Sequence, residues 1–181
     1  MHTKGTSGFT LVEIVLSMTL GLMIMSAVAS AYLFLGKNLG RLANAQQIEQ
    51  KSHLALQYFT NDVASASSVD SASTGSQLQL TVVPSSGGSA IVTYAYDNGA
   101  GTLTRTYESN TPVVLMTDLT QLNFGYFSKT GTVNATPLST RQIQVSFTTA
   151  AGSPANGTQS SFTYASPRMA IRNKPVGELY Q

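Results

Sequence analysis

Between residues 14 and 35 the chain carries no charged side chain and no proline. At about 1.5 Å of rise per residue, such a run folded as a helix is long enough to cross roughly 30 Å of hydrocarbon. A buried helix of a soluble protein is rarely apolar on every side for that length, so the run predicts a membrane element. Its irregularity lies at the entrance, because from residue 9 to residue 35 the only ionisable side chain is Glu13. A charge at the bilayer centre costs about 2.5–3.5 kcal/mol on insertion scales, less near the interface, and such residues usually have a partner.

The rest of the chain bounds what that element can carry. With 181 residues, 42% hydrophobic and 10% charged, one modest domain follows the apolar run. There is no cysteine, which excludes disulfides and thiolate metal sites and removes cysteine as a guide to redox compartment. The net charge of +2 comes from ten scattered bases and eight scattered acids. Without a basic stripe, nucleic acid stays open as a partner but unsupported.

Three readings of the N-terminus compete. An ordinary secretory signal has a basic start, a shorter apolar stretch and a small-residue cleavage site, and Ala29-Ser30-Ala31 passes as that site, releasing a secreted or anchored β-domain after Ala31. Upstream, however, Lys4 and Glu13 cancel, and Glu13 abuts the stretch it should leave clear. A plain single-pass anchor is the second reading, but Lys37 and Arg41 follow the span and blur its orientation under the positive-inside rule.

The third reading accounts for Glu13. Ser7-Gly8-Phe9-Thr10-Leu11-Val12-Glu13-Ile14 resembles the prepilin N-terminal processing motif, a short hydrophilic leader ending in Gly, then Phe and Thr-Leu-Val-Glu, then an apolar helix. The resemblance implies cleavage between Gly8 and Phe9 by a membrane-bound prepilin peptidase, N-methylation of the new terminal Phe9, and a leader at residues 1–8. It further implies that Glu13 is an assembly residue meeting the terminal ammonium of Phe9 in a neighbouring subunit. The physics is consistent: an ammonium at the head of a helix opposes the dipole, and a carboxylate four residues on, about 6 Å along the axis, offsets it. Many major pilins have a proline within this span, whereas this chain has none, which leans toward a minor pilin or a pseudopilin.

Past the span, Leu39, Leu42, Ile48, Leu54, Leu56, Phe59 and Val63 recur at roughly helical spacing, and no proline intervenes before Pro84. This predicts one long helix, apolar over residues 9–36 and amphipathic over 37–67, whose second half packs on a sheet. Residues 52–67 resemble the corresponding part of J-type minor pseudopilins and PilW-type minor pilins. A Ser-, Ala- and Thr-rich passage at residues 64–76 ends the helix. Two-residue alternation then predicts strands over 78–82, 91–96, 102–107, 113–116, 119–127, 141–148 and 160–164, with Asn98-Gly99 marking a hairpin. The fold class is α+β and pilin-like, a long helix on an antiparallel sheet, with a β-rich head at residues 68–181 whose tail lacks a disulfide to hold it.

Enzymatic chemistry has no visible candidate. The Gly-rich stretch at residues 85–89 lacks the lysine and following helix of a phosphate loop. His53 is the only histidine after a cut at Gly8, the acids form no calcium-type cluster, and no nucleophile stands beside a base in a motif. No catalytic residue, cofactor or metal is therefore expected. The resemblance implies a structural subunit of a type IV pilus or type II secretion pseudopilus, anchored in a bacterial inner membrane with a periplasmic head. Its implied partners are the peptidase and methyltransferase, other pilin subunits and an inner-membrane assembly platform. A binding role for loops 128–140 and 150–159 is the second expectation.

Overall fold

The computed structural model describes residues 8–84, 87–133, 136, 139–153 and 159–172. A single helix, α1, runs unbroken over Leu11–Ser65, 55 residues or about 80 Å at the usual rise. Neither Gly21 nor Gly36 interrupts it, since a helix tolerates Gly at about 1 kcal/mol while it has no Pro to remove a bond. Its first half is exposed on all sides, and it is long and apolar enough to cross a membrane.

The strands follow in order: β1 Ala66–Val69, β2 Gln77–Val82, β3 Ala90–Asp97, β4 Thr102–Tyr107, β5 Val113–Met116, β6 Leu119–Phe127, β7 Gln142–Ala151, β8 Ser160–Ala165 and β9 Met169–Ala170. They form two antiparallel sheets where one was expected: β1-β2-β3-β4-β5, and β6-β7-β8 with β9 also on β7. The break falls at Asp118, whose backbone is left-handed (φ 62°), so the chain leaves β5 and starts β6 in another direction. The sheets still touch. Leu119 donates its N–H to the Gly101 carbonyl at 2.9 Å and Phe124 to that of Gly75 at 2.8 Å. Gly101 also has positive φ (62°), and a Cβ there would lie 2.8 Å from the Leu119 carbonyl. The expected hairpin at Asn98-Gly99 forms as a longer turn, in which Asp97 accepts from the N–H groups of Gly99 and Ala100.

Two further differences concern the helix. It stops at Ser65, and residues 66 and 67 already belong to β1, whose Ala66 and Val69 are buried. Part of the Ser- and Ala-rich passage is thus strand, because a pair of buried apolar residues outweighs weak local propensity. The buried stripe is Ile48, Ala55, Phe59 and Val63, whereas Leu39, Leu42 and Leu54 are exposed. Steps of seven and four residues keep the first set on one face; the other three leucines project elsewhere around the helix.

That stripe closes the core. Phe59 meets Tyr94 of β3 edge-on at 5.8 Å and stacks on Phe124 of β6 at 6.2 Å, while Tyr94 and Phe124 stand 6.5 Å apart. Beside them Asp62 is buried and ion-paired with Arg105 of β4 through two bonds, Nε to Oδ2 at 2.7 Å and Nη2 to Oδ1 at 2.9 Å. The Tyr94 hydroxyl donates to the same carboxylate. Arg105 also lies over the rings of Tyr58 and Tyr107. Lower on the helix, Lys51 donates to Thr117 Oγ1 at 2.7 Å beside Asp118, and Arg41 accepts at its carbonyl from Ser160 at 3.2 Å. The tail is held without a disulfide as far as Ile171, which is buried and donates its N–H to the Arg141 carbonyl at 2.9 Å; residues 173–181 lie outside the described residues.

Breaking the ion pair from one side should be costly. Asp62→Ala leaves the Arg105 guanidinium, with only 18% of its side chain exposed, without its carboxylate, and urea unfolding of the full chain in micelles should show a loss of about 3 kcal/mol. The double variant Asp62→Leu with Arg105→Met should recover most of it, because a packed apolar pair avoids the desolvation of both ions. Alkali provides a second test. Burial pushes the Tyr126 phenol up to about 12, and burial together with the Asp62 charge pushes Tyr94 higher still. The fold therefore favours both neutral phenols. Their contribution is complete below pH 10, the ordinary phenol value, and declines as the pH climbs through about 12. Thermal melts should be level to pH 10 and fall between 10 and 12, and Tyr126→Phe should flatten part of that fall.

Candidate functional site at the helix start

The residues singled out by the sequence lie together at the free end of α1. Gly8, Phe9 and Thr10 are non-helical and exposed, and the helix begins at Leu11. Residues 1–7 lie outside the described residues. Thr10 is the N-cap, with extended backbone (φ −78°, ψ 151°), and its Oγ1 accepts from the Glu13 N–H at 3.3 Å. The Ile14 N–H closes the first helical turn on the Thr10 carbonyl at 3.2 Å. The stretch Thr-Leu-Val-Glu thus has the spacing of a capping box, Ser or Thr followed three residues later by Glu. Sequence reasoning passed over that function of Thr10, although the spacing alone identifies it.

This cap has a chemical consequence. A helix leaves its first N–H groups without acceptors, and Thr10 satisfies one of them. It also fixes the boundary, so the Gly8–Phe9 peptide bond stands in exposed, non-helical chain just ahead of the helix. Among the described residues, a Cβ built at Gly8 meets no atom within 4 Å.

Glu13 stands in the first turn, where a negative charge is favoured by the helix dipole by about 0.3–1 kcal/mol. Other polar groups of the apolar half satisfy themselves internally. Ser17 donates to the Glu13 carbonyl, Thr19 to Leu16, Ser26 to Met23 and Ser30 to Ser26, at 2.7–2.9 Å. The Glu13 carboxylate, by contrast, meets no cation among the described residues. It is exposed in a row of exposed apolar side chains, Leu11, Val12 and Ile14 among them. Ala29, Ser30 and Ala31, the alternative cleavage site, lie in mid-helix.

The head offers less. His53 is exposed and stands 3.8 Å from Glu49 one turn earlier. Among the described residues no three His, Asp or Glu side chains come together to hold a metal. The glycine-rich stretch at 85–89 and the loops 128–140 and 150–159 lie partly outside the described residues, but Gly87 and Gly88 have positive φ, as in a turn. No protein-family model matches the chain, and no curated protein matches it significantly.

Removing the cap should loosen the helix start without touching the head. For Thr10→Val we expect a loss of about 1 kcal/mol confined to the first turn, seen as faster hydrogen exchange at residues 12–14 in micelles. Unchanged exchange there would show that Thr10 does not cap.

Proposed function

We propose that this chain is a minor pilin or pseudopilin, cut after Gly8, methylated at Phe9 and built into a filament through its N-terminal helix. The observation that carries this reading is the Glu13 carboxylate, which meets no cation among the described residues, in the first turn of a helix exposed along its whole apolar half. A carboxylate there is tolerable beside an interface but unfavourable within hydrocarbon. A neighbour's Phe9 ammonium neutralises it at the moment the two helices come into register. The exposed Gly8–Phe9 bond, with open space around Gly8 among the described residues, supports the same reading.

The long helix suits this role. Its lower half remains available to the bilayer or to other helices, while its upper half is bound to the head at Arg41, Lys51 and Asp62. In this reading the partners are a prepilin peptidase with methyltransferase activity, other subunits and an assembly platform in the inner membrane. The head faces the periplasm. The alternative, a β-domain released after Ala31, divides α1 in mid-course and leaves Glu13 without a purpose.

Glu13→Ala is the direct test, made in a host that assembles such filaments. Cleavage of the leader should be unchanged, and the amount of this chain in sheared, purified filaments should drop at least tenfold. Glu13→Gln should behave likewise, since it keeps size and loses charge. Filaments containing either variant at the wild-type level would refute the assembly role.

A further inference from the structure

An open sheet edge pairs with any suitable strand, and proteins usually blunt such edges with short strands, bulges, proline or charge. Three edges of this head are treated in that way. β1 and β5 have four residues each, and each has a register shift against its neighbour; Pro112 precedes β5. The outer edge of β6 is occupied at Leu119 and Phe124, which donate to Gly101 and Gly75 of the other sheet. Among the described residues β8 has none of these protections. It pairs with β7 in regular register from Ser160↔Ala151 to Ala165↔Ser146, and residues 142–167 include no charged side chain. Among the described residues no strand pairs with its other side, and every residue from 161 to 165 is exposed.

Among the described residues the inner face of the same strand is only partly covered, by the bond from Ser160 to the Arg41 carbonyl. Phe162 and Tyr164 point toward the helix beside Thr149 and Phe147 of β7, yet remain 47% and 39% exposed. The helix faces them with small residues, Ala45 and Ser52, and a groove of about 310 Å³ is left, floored by Ile48 and Leu56. Glu49 and His53 stand on its rim.

We propose that β8 is a docking edge for an extended strand donated by another protein. Its backbone pairs along Ser160–Ala165, apolar residues at every second position fill the groove over Phe162 and Tyr164, and a basic side chain meets Glu49. Backbone pairing provides affinity and the alternate side chains provide selectivity. A lipid chain has no use for the free N–H and C=O groups. A second copy of β8 brings no cation, because residues 142–167 carry none. The proposal stands apart from the filament reading, which the Glu13 variants decide separately.

The test uses the full chain in dodecylmaltoside micelles and a capped, fluorescein-labelled peptide, Lys-Val-Thr-Val-Thr-Val-Thr, followed by anisotropy. It should bind, and the same peptide N-methylated at every amide should bind at least tenfold more weakly. Glu49→Lys should weaken binding about fivefold, and a peptide beginning with Glu should restore it. Phe162→Ala, at an exposed position, should weaken both peptides without lowering the melting temperature. Equal binding of the methylated peptide would reduce the site to an apolar groove and overturn strand docking. No binding at millimolar peptide would overturn it outright. Binding only after deletion of residues 173–181 would assign the edge to this chain's own tail, and concentration-dependent dimers that exclude the peptide would assign it to a second copy.

Discussion

Phe59 of the helix, Tyr94 of one sheet and Phe124 of the other meet at a single point, and the two-sheet head depends on it. Each ring belongs to a different layer, so their contact sets the helix against both sheets at once. Apolar burial is non-directional and does not by itself fix the helix's rotation or register. The adjacent Asp62–Arg105 pair does so, since a two-point bond between a carboxylate and a planar guanidinium admits few geometries. Tyr94 contributes to both groups, through its ring in the core and its hydroxyl on Asp62. This combination orients a helix whose other half receives no support from the head.

The order of elements was readable because both periodicities are strong. Leu78, Leu80 and Val82 alternate cleanly, and seven strands appear close to where the alternation puts them. β9 escaped notice because two residues cannot display a period, and β1 because its Ala-Ser-Ser-Val sequence merges with the Ser- and Ala-rich passage around it. The division into two sheets was not legible either, since it depends on the backbone of Asp118 and on the Gly101–Leu119 approach, a contact between distant residues. The ion pair, in contrast, was within reach. Arg105 alternates in step with Leu103 and Tyr107 and so faces inward, and Asp62 adjoins Val63 and lies three residues after Phe59, on the buried side of the helix. Two opposite charges on two core-facing stripes are a readable sign of a buried pair.

At the helix start the sequence identified Gly8, Phe9 and Glu13, and the structure puts them in one exposed segment with Thr10 as its hinge point. In the proposed reading the same four residues, Thr-Leu-Val-Glu, serve two purposes that do not compete. The backbone of Glu13 is capped by Thr10, which settles where the helix begins, while its carboxylate meets no cation among the described residues and, in the proposed reading, is kept for a neighbouring subunit. A capping role alone explains the Thr and favours a carboxylate at the helix start, but it does not explain why the preceding residues are Gly and Phe. Under the proposed reading, processing and assembly would account for the Gly and the Phe as well.

The chemical state of the mature N-terminus tests this account most directly. Intact-mass and fragment-ion mass spectrometry of the chain purified from membranes of a host with a prepilin peptidase should find it starting at Phe9 and carrying one methyl group on the amine. A chain starting at Tyr32, or one that retains its leader while the host's own prepilins are cut, would contradict it.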